Sequence, residues 1–449
     1  MWGLSASTSS STHNIREFCM VLWLSLGIQD CFMPSVSETN KFKLFNDPIY
    51  GFISIPSERI FDLVEHPYFQ RLRRISQLGL SSLVYPGANH TRFHHALGAM
   101  HLMLKAIQVL RRKGIEITAS EEESAQIAIL LHDIGHGPFS HALEQTLLDG
   151  VHHETVSRMI MERLNLHFDG ALDEAIAIFE GRHPKGFLHE LISSQLDMDR
   201  MDYLKRDAFY TGVIEGAINS DRLLEMLHVS EGHLVLEHKA IASIEKFLIS
   251  RSLMYWQVYM HKTVLSAESM LVEVLRRASL LARRGEDLFA GAELQILLRR
   301  RPSQKDFNQE PELLDLFTRL DDSDILSAIK QWQQHPDPVL SAMSRRIIDR
   351  KLFRIKFLDR PLSLEDRASL EASVAASMGL SAEDSLHFVL DGVASNKTYT
   401  ADKQEIKLLK KNGNVLPLTE VSEILPLSVY SQVTTRPFVC WPKELPWIH

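Results

Sequence analysis

Cysteine is scarce in this chain of 449 residues: there are three, at positions 19, 31 and 440. So few, spaced so widely, make neither a disulfide framework nor a zinc motif, which makes a reducing cytoplasm the default location. Positive charge is not in excess either, since 49 Lys and Arg against 57 Asp and Glu leave a formal net charge of -8. That balance lacks the electrostatic footprint of a nucleic-acid binder, and no nucleic-acid motif stands out. Long apolar runs are also missing. The stretch from Phe18 to Ile28 falls short of the roughly 20 residues that span a bilayer, and it lacks the basic front and cleavage site of a signal peptide. No membrane role follows. At 45% hydrophobic and 24% charged residues, the composition is that of a globular protein with substantial cores.

Histidine next to acid is what the chain does have. Four stretches carry it: Arg92-Phe93-His94-His95, His132 to His141, His153-Glu154, and Asp197 to Tyr203. A divalent cation with open positions needs a few nitrogen and carboxylate donors, and a phosphate beside it needs acids, bases and cations. His132-Asp133 closes an apolar helical run whose start has capping-box spacing at Ser120 and Glu123. A His and an Asp at the buried end of a helix are costly unless paired or metal-bound. Gly135, Gly137 and Pro138 then break the helix and turn the chain, which brings His136 and His141 back over the same pocket. An isolated His-Asp pair would read as a hydrogen-bonded core histidine. Here the neighbouring stretches favour a site, and Asp199, Tyr203 and Asp207, at i, i+4 and i+8, share one helical face as a pocket wall requires.

Residues 47 to about 265 resemble the HD-domain metal-dependent phosphohydrolases, and within them the deoxynucleoside triphosphate triphosphohydrolase branch. The resemblance rests on Asp47-Pro48-Ile49-Tyr50-Gly51, Phe69-Gln70-Arg71-Leu72-Arg73, Gln77-Leu78-Gly79, Tyr85-Pro86-Gly87-Ala88, His132 to His141 and Tyr259-Met260-His261-Lys262. The acidic residues of guanosine-tetraphosphate relatives and the Gly-Tyr-Pro of the cyclic-dinucleotide branch are absent, and the sterile-alpha-motif domain of the animal relative has no counterpart. The resemblance implies His95, His132, Asp133 and Asp199 as ligands of one divalent ion, with Fe, Mn, Ni, Zn and Mg all compatible. The residues alone do not choose between His94 and His95; the resemblance places the ligand second. It also implies that His136, His153 and Glu154 position the attacking water or the phosphate. His141 with Glu144, where the family has Asp, would deliver a proton to the leaving oxygen. Arg92, Arg200, Arg251 and Lys262 would hold phosphate, Arg200 standing where the animal relative has Lys. Gln77, Leu78, Tyr203 and Asp207, with Tyr259 nearby, would enclose the sugar and exclude a 2′-hydroxyl.

The expected activity is therefore hydrolysis of a deoxynucleoside triphosphate to deoxynucleoside and triphosphate by a homo-oligomer, with a nucleotide activator bound between subunits. Two other readings fit the same residues: an HD phosphohydrolase of nucleoside monophosphates or other phosphoesters, and a nucleotide sensor or nucleic-acid-binding protein on the same fold. The fold class expected is mainly α, an all-α HD domain over 45–298 joined by a helical linker over 299–352 to a small α+β region over 353–449. Helical segments are expected near 94–113, 121–134, 153–164, 188–207 and 240–282. Strands are expected at Phe353 to Phe357, Leu386 to Leu390 and Glu405 to Leu409, with Asn412-Gly413-Asn414 a turn. Residues 1–44 read as a poorly ordered extension, with Met33 a candidate start.

Overall fold

Apolar residues at helical spacing recur through most of the chain, and helices dominate the computed structural model, which describes residues 43–139, 141–396, 405–422 and 434–445. The expectations for residues 1–42 lie outside the described residues. A short hairpin, β1 (Leu44–Asp47) and β2 (Gly51–Ser54), precedes the helices. Helix α1 (Arg92–Arg112) runs through the middle of the core, burying Phe93, His95, Ala96, Leu97, Met100 and Met103 among others. Thr91 caps it, and the His94 ring accepts the Thr91 N–H at 3.2 Å.

Helix α2 (Ala119–Leu131) packs on α1 and ends where His132 begins. Its capping box is Thr118 with Glu121, not Ser120 with Glu123, because the Thr118 hydroxyl accepts the Glu121 N–H while Glu121 accepts the Thr118 N–H at 2.8 Å. Helix α3 (His153–His167) follows. Helix α4 (Met198–Thr211) is capped by Asp197 and ended by Gly212, whose φ of 75° is a left-handed C-cap. The segment expected at 188–207 is thus two helices, broken where the buried Asp197 carboxylate takes the N–H groups of Ser194 and Arg200, each at 2.7 Å.

Among these helices lies a second hairpin, β3 (Leu227–Ser230) and β4 (His233–Glu237), turned by Glu231 and Gly232, both at positive φ. Two positive φ values suit the tight turn that joins right-twisted strands. Helix α5 (Ile241–Met254), a π-helical turn over Tyr255–Tyr259 and helix α6 (Lys262–Arg283) replace the single helix expected there. The His261 ring accepts the Thr263 N–H and starts α6 afresh. Helix α7 (Asp322–Trp332) lies in the segment expected as a linker.

The C-terminal region forms an antiparallel sheet, β5 (Arg354–Phe357) and β6 (Leu390–Asn396) flanking β9 (Thr434–Trp441). Leu386 to Phe388, expected as strand, make a 3₁₀ turn instead, and pairing starts at Leu390. Strands β7 (Lys407–Leu409) and β8 (Val415–Pro417) extend the central hairpin in the order β3-β4-β7-β8, with β4 and β7 parallel. Gly413 turns the chain between β7 and β8 at φ 86°. Phe353, Phe388 and Trp441 are buried in the same hydrophobic core as the helices. Among the described residues, no helix is long and apolar enough to cross a membrane.

Candidate functional site

Two imidazoles converge at the centre of the helical core. His95 comes from the first turn of α1 and His132 from the end of α2, with ring centroids 5.4 Å apart. Each has its Nδ1 committed: His95 donates to Asp202 Oδ2 at 2.7 Å, and His132 donates to the Ile129 carbonyl at 2.6 Å. Each Nε2 is buried without a hydrogen-bond partner. A carboxylate or carbonyl on one ring nitrogen fixes the tautomer that presents the other as a metal ligand. Asp199 Oδ1 from α4 lies 3.1 Å from His95 Nε2 and 3.5 Å from His132 Nε2, near both yet without hydrogen-bond geometry. His95, His132 and Asp199 form one group able to hold a metal ion, and Asp133, His136 and His153 form another. Asp133 links them, its Oδ1 lying 3.4 Å from both His132 Nε2 and His136 Nε2. The donor set therefore fits a divalent cation. His94 serves instead as the cap of α1.

Charge around the centre is arranged by burial and pairing. Burial opposes the charge on His95, yet the carboxylates of Asp199 and Asp202 outweigh it and push the ring up to about 10. Burial would raise Asp133, but His132, His136 and the Arg92 guanidinium hold it well below the usual carboxylate range. Arg92 Nη1 donates to Asp133 Oδ2 at 2.6 Å. His136 goes the other way: burial and then Arg92 lower it to about 3, so the ring is neutral. It stacks on His153 with centroids 3.7 Å apart, and His153 Nδ1 donates to Glu144 Oε1 at 2.9 Å. Glu154 is exposed on the first turn of α3. The side chain of His141 lies outside the described residues.

The remaining candidates form a wall. Asp207 is buried, taking His90 Nε2–H at 2.7 Å and the Tyr259 hydroxyl at 2.8 Å. Tyr203 and Tyr259 meet edge to face with centroids 6.1 Å apart. Arg200 pairs with Asp197, Arg251 donates to Gln195 Oε1 at 3.4 Å, and the Nε of each is buried without a partner. Lys262 stands apart, its Nζ 5.6 Å over the Phe357 ring of β5. A cavity of about 720 Å³ adjoins the centre, with Gln77, Leu78, Arg92, Phe139, Tyr255 and Tyr259 in its wall.

Sequence reasoning left several supporting residues without a role. Asp202 orients His95 and is itself held by Arg206, which also donates to Asp47 Oδ2 at 2.7 Å. The i, i+4 spacing of Asp202 and Arg206 on a helix was the available signal. Gly135 serves a close approach: a Cβ there would stand 2.2 Å from Ser157 N and 2.3 Å from the His153 carbonyl. Ser157 Oγ accepts the Gly135 N–H at 2.9 Å and donates to the His132 carbonyl at 2.7 Å. Phe139, and not a glycine, takes the positive φ of 50° in this loop.

Two family descriptions match the chain: HD domain over residues 92–207 and HD associated region over 218–290. The crystal structure of a phosphohydrolase from Bacteroides thetaiotaomicron superposes with a TM-score of 0.87 at 46% identity, covering 89% of this chain and 100% of that one. An uncharacterized Bacillus subtilis protein, YwfO, is 33% identical over 422 residues, 90% of this chain and 93% of its own length. A Dictyostelium discoideum protein named a deoxynucleoside triphosphate triphosphohydrolase SAMHD1 homolog is 33% identical over 303 residues, 62% of this chain and 57% of that protein.

Proposed function

The chain belongs to the HD-domain phosphohydrolase family, and from that premise we propose that it hydrolyses deoxynucleoside triphosphates to deoxynucleoside and triphosphate. The observation that carries the reading is the pair of buried, unpartnered Nε2 atoms on His95 and His132 beside Asp133 and Asp199, adjoining a cavity of nucleotide size. A divalent ion held there supplies Lewis acidity and a water of lowered pKa. The protein's own groups do the rest. Arg92 balances charge at Asp133 and with Arg200 and Arg251 draws the phosphates. His136, neutral and stacked on His153, orients the attacking water, and His141 with Glu144 protonates the departing 5′-oxygen.

Substrate choice follows from the sugar wall. Gln77 has a buried Oε1 without a partner, suited to a 3′-hydroxyl, while Tyr203, Tyr259 and Asp207 are already packed and paired. A 2′-hydroxyl would meet a closed surface. Relatives named for this activity support the choice. Assembly as a homo-oligomer, with a nucleotide activator acting between subunits, belongs to the same reading.

The test incubates metal-loaded protein with each deoxynucleoside triphosphate and with GTP, and resolves the products. Deoxynucleoside and triphosphate are expected, with GTP at least tenfold poorer than dGTP; equal turnover of the two, or release of single phosphates, overturns the reading. Asp133→Ala should lose bound metal and turnover together.

A further inference from the structure

The cavity has a wall that the reading above does not use. Besides Gln77 and Arg92 it is bounded by α6, through Glu268, Val272 and Arg276, and by β6 and its neighbourhood, through Arg367, Asp391 and Val393. The β6 side of this wall lies outside the two family matches, which end at residue 290, while α6 lies within them.

Its charge decides what it suits. Arg276 and Arg367 share this part of the wall with Glu268, Glu273 and Asp391, two cations and three carboxylates. Most are already committed, Arg367 to Asp391 and Glu371, and Glu273 to His387 at 2.6 Å. An internally paired surface with a surplus of carboxylates offers nothing to a polyanion, so the triphosphate gains little here. An uncharged planar group with apolar faces and polar edges does fit, against Val272 and Leu390. Arg276 is the loosest of the cations. Its Nη1 lies 3.7 Å from Glu273 Oε2, and its side chain is 56% exposed.

We propose that the nucleobase of the substrate occupies this arm of the cavity, between α6 and β6, with Arg276 on its edge as a specificity-determining residue. The inference rests on the deoxynucleotide reading and deepens it, because it makes the C-terminal region part of the substrate site. A guanidinium offers two parallel donors, which match adjacent acceptors such as O6 and N7 of guanine and meet an opposing amine on adenine. Guanine is therefore the favoured base.

Two substitutions test it, with KM and kcat measured for all four deoxynucleoside triphosphates and metal content checked. Arg276→Ala should raise KM for dGTP about fivefold to tenfold relative to dATP, with kcat for each within about twofold, and Arg276→Lys should recover part of the difference. Val393→Trp, which fills the arm from an exposed position, should raise KM for all four at least fivefold while leaving inhibition by inorganic triphosphate unchanged. If deoxynucleotides are hydrolysed but base preference and KM stay at wild-type values in both variants, the base lies elsewhere and only this inference falls. If the wild type hydrolyses no deoxynucleotide at all, the functional reading falls and takes the inference with it.

Discussion

Asp202 sets the His95 ring, and its loss separates geometry from charge. Its Oδ2 takes the Nδ1–H of His95 while Arg206 grips both oxygens at 2.9 Å. Asp202→Asn should keep the helix and weaken metal binding about tenfold to a hundredfold, the usual cost of losing such an outer partner, as read by equilibrium dialysis. Gly98→Ala should do similar harm by contact alone. A Cβ there would stand 2.0 Å from Asp202 Oδ1 and 2.2 Å from Arg206 Nη2, so the pair must shift.

A third residue ties stability to pH. Burial, and then the charge of Lys105, lower His101 to about 4. The unfolded chain takes up that proton from about pH 6.5 downward. Between pH 6.5 and 4 unfolding therefore binds a proton that the native state refuses, and stability falls as pH falls; above 6.5 the term vanishes. His101→Phe, which keeps a ring against Tyr50, should flatten that acid limb in thermal melts. At this scale the sequence was legible where donors sit together, as in His132-Asp133 or Asp199 to Asp207. It was silent on His90 with Asp207 and His95 with Asp202, because those partners are a hundred residues apart and only the fold joins them.

At the scale of elements, the loop after His132 is clamped from α7. Asp322, the first residue of α7, accepts the Ser76 N–H at 2.9 Å and the Phe139 N–H at 3.3 Å. Arg71, fully buried and stacked over Phe317, donates to the Ile134 carbonyl at 2.7 Å. Asp322 thus joins the segment before Gln77 to the strained Phe139. Asp322→Ala leaves the buried Phe139 N–H and the partly buried Ser76 N–H unpaired, at about 1–3 kcal/mol for the buried one. Urea unfolding should show a lower midpoint with unchanged slope, and a midpoint within error of wild type would mean another group holds the loop. The main helices could be read from apolar spacing. The breaks at Asp197 and at Tyr255–Tyr259 could not, since apolar residues continue through both and only side-chain capping and the π turn mark them. The β3-β4 hairpin escaped because four or five residues are too few for alternation to stand out.

Across the whole molecule, the C-terminal strands are bound into the core. Cys440 in β9 is buried, and burial pushes its thiol up to about 12. In a background with Cys19 and Cys31 changed to Ser, Cys440 should resist alkylation at pH 8 in the native protein and react once it is unfolded. Fast labelling of the native state would mean that the sheet opens readily. The three-stranded sheet could be anticipated only in part, because β9 meets β5 and β6 from far along the chain.

That long reach has a consequence for how the protein comes into being. On the ribosome α1 to α4, with all four candidate ligands, emerge long before β7 and β9 are made. Strand β4 must wait with an open edge until Leu408 arrives to pair beside Leu236. Closures of such long loops are the slow step of folding and leave edges exposed meanwhile. A newborn chain therefore has its His-Asp cluster assembled early and its outer wall last, and for that interval its edge is open to pairing with another chain.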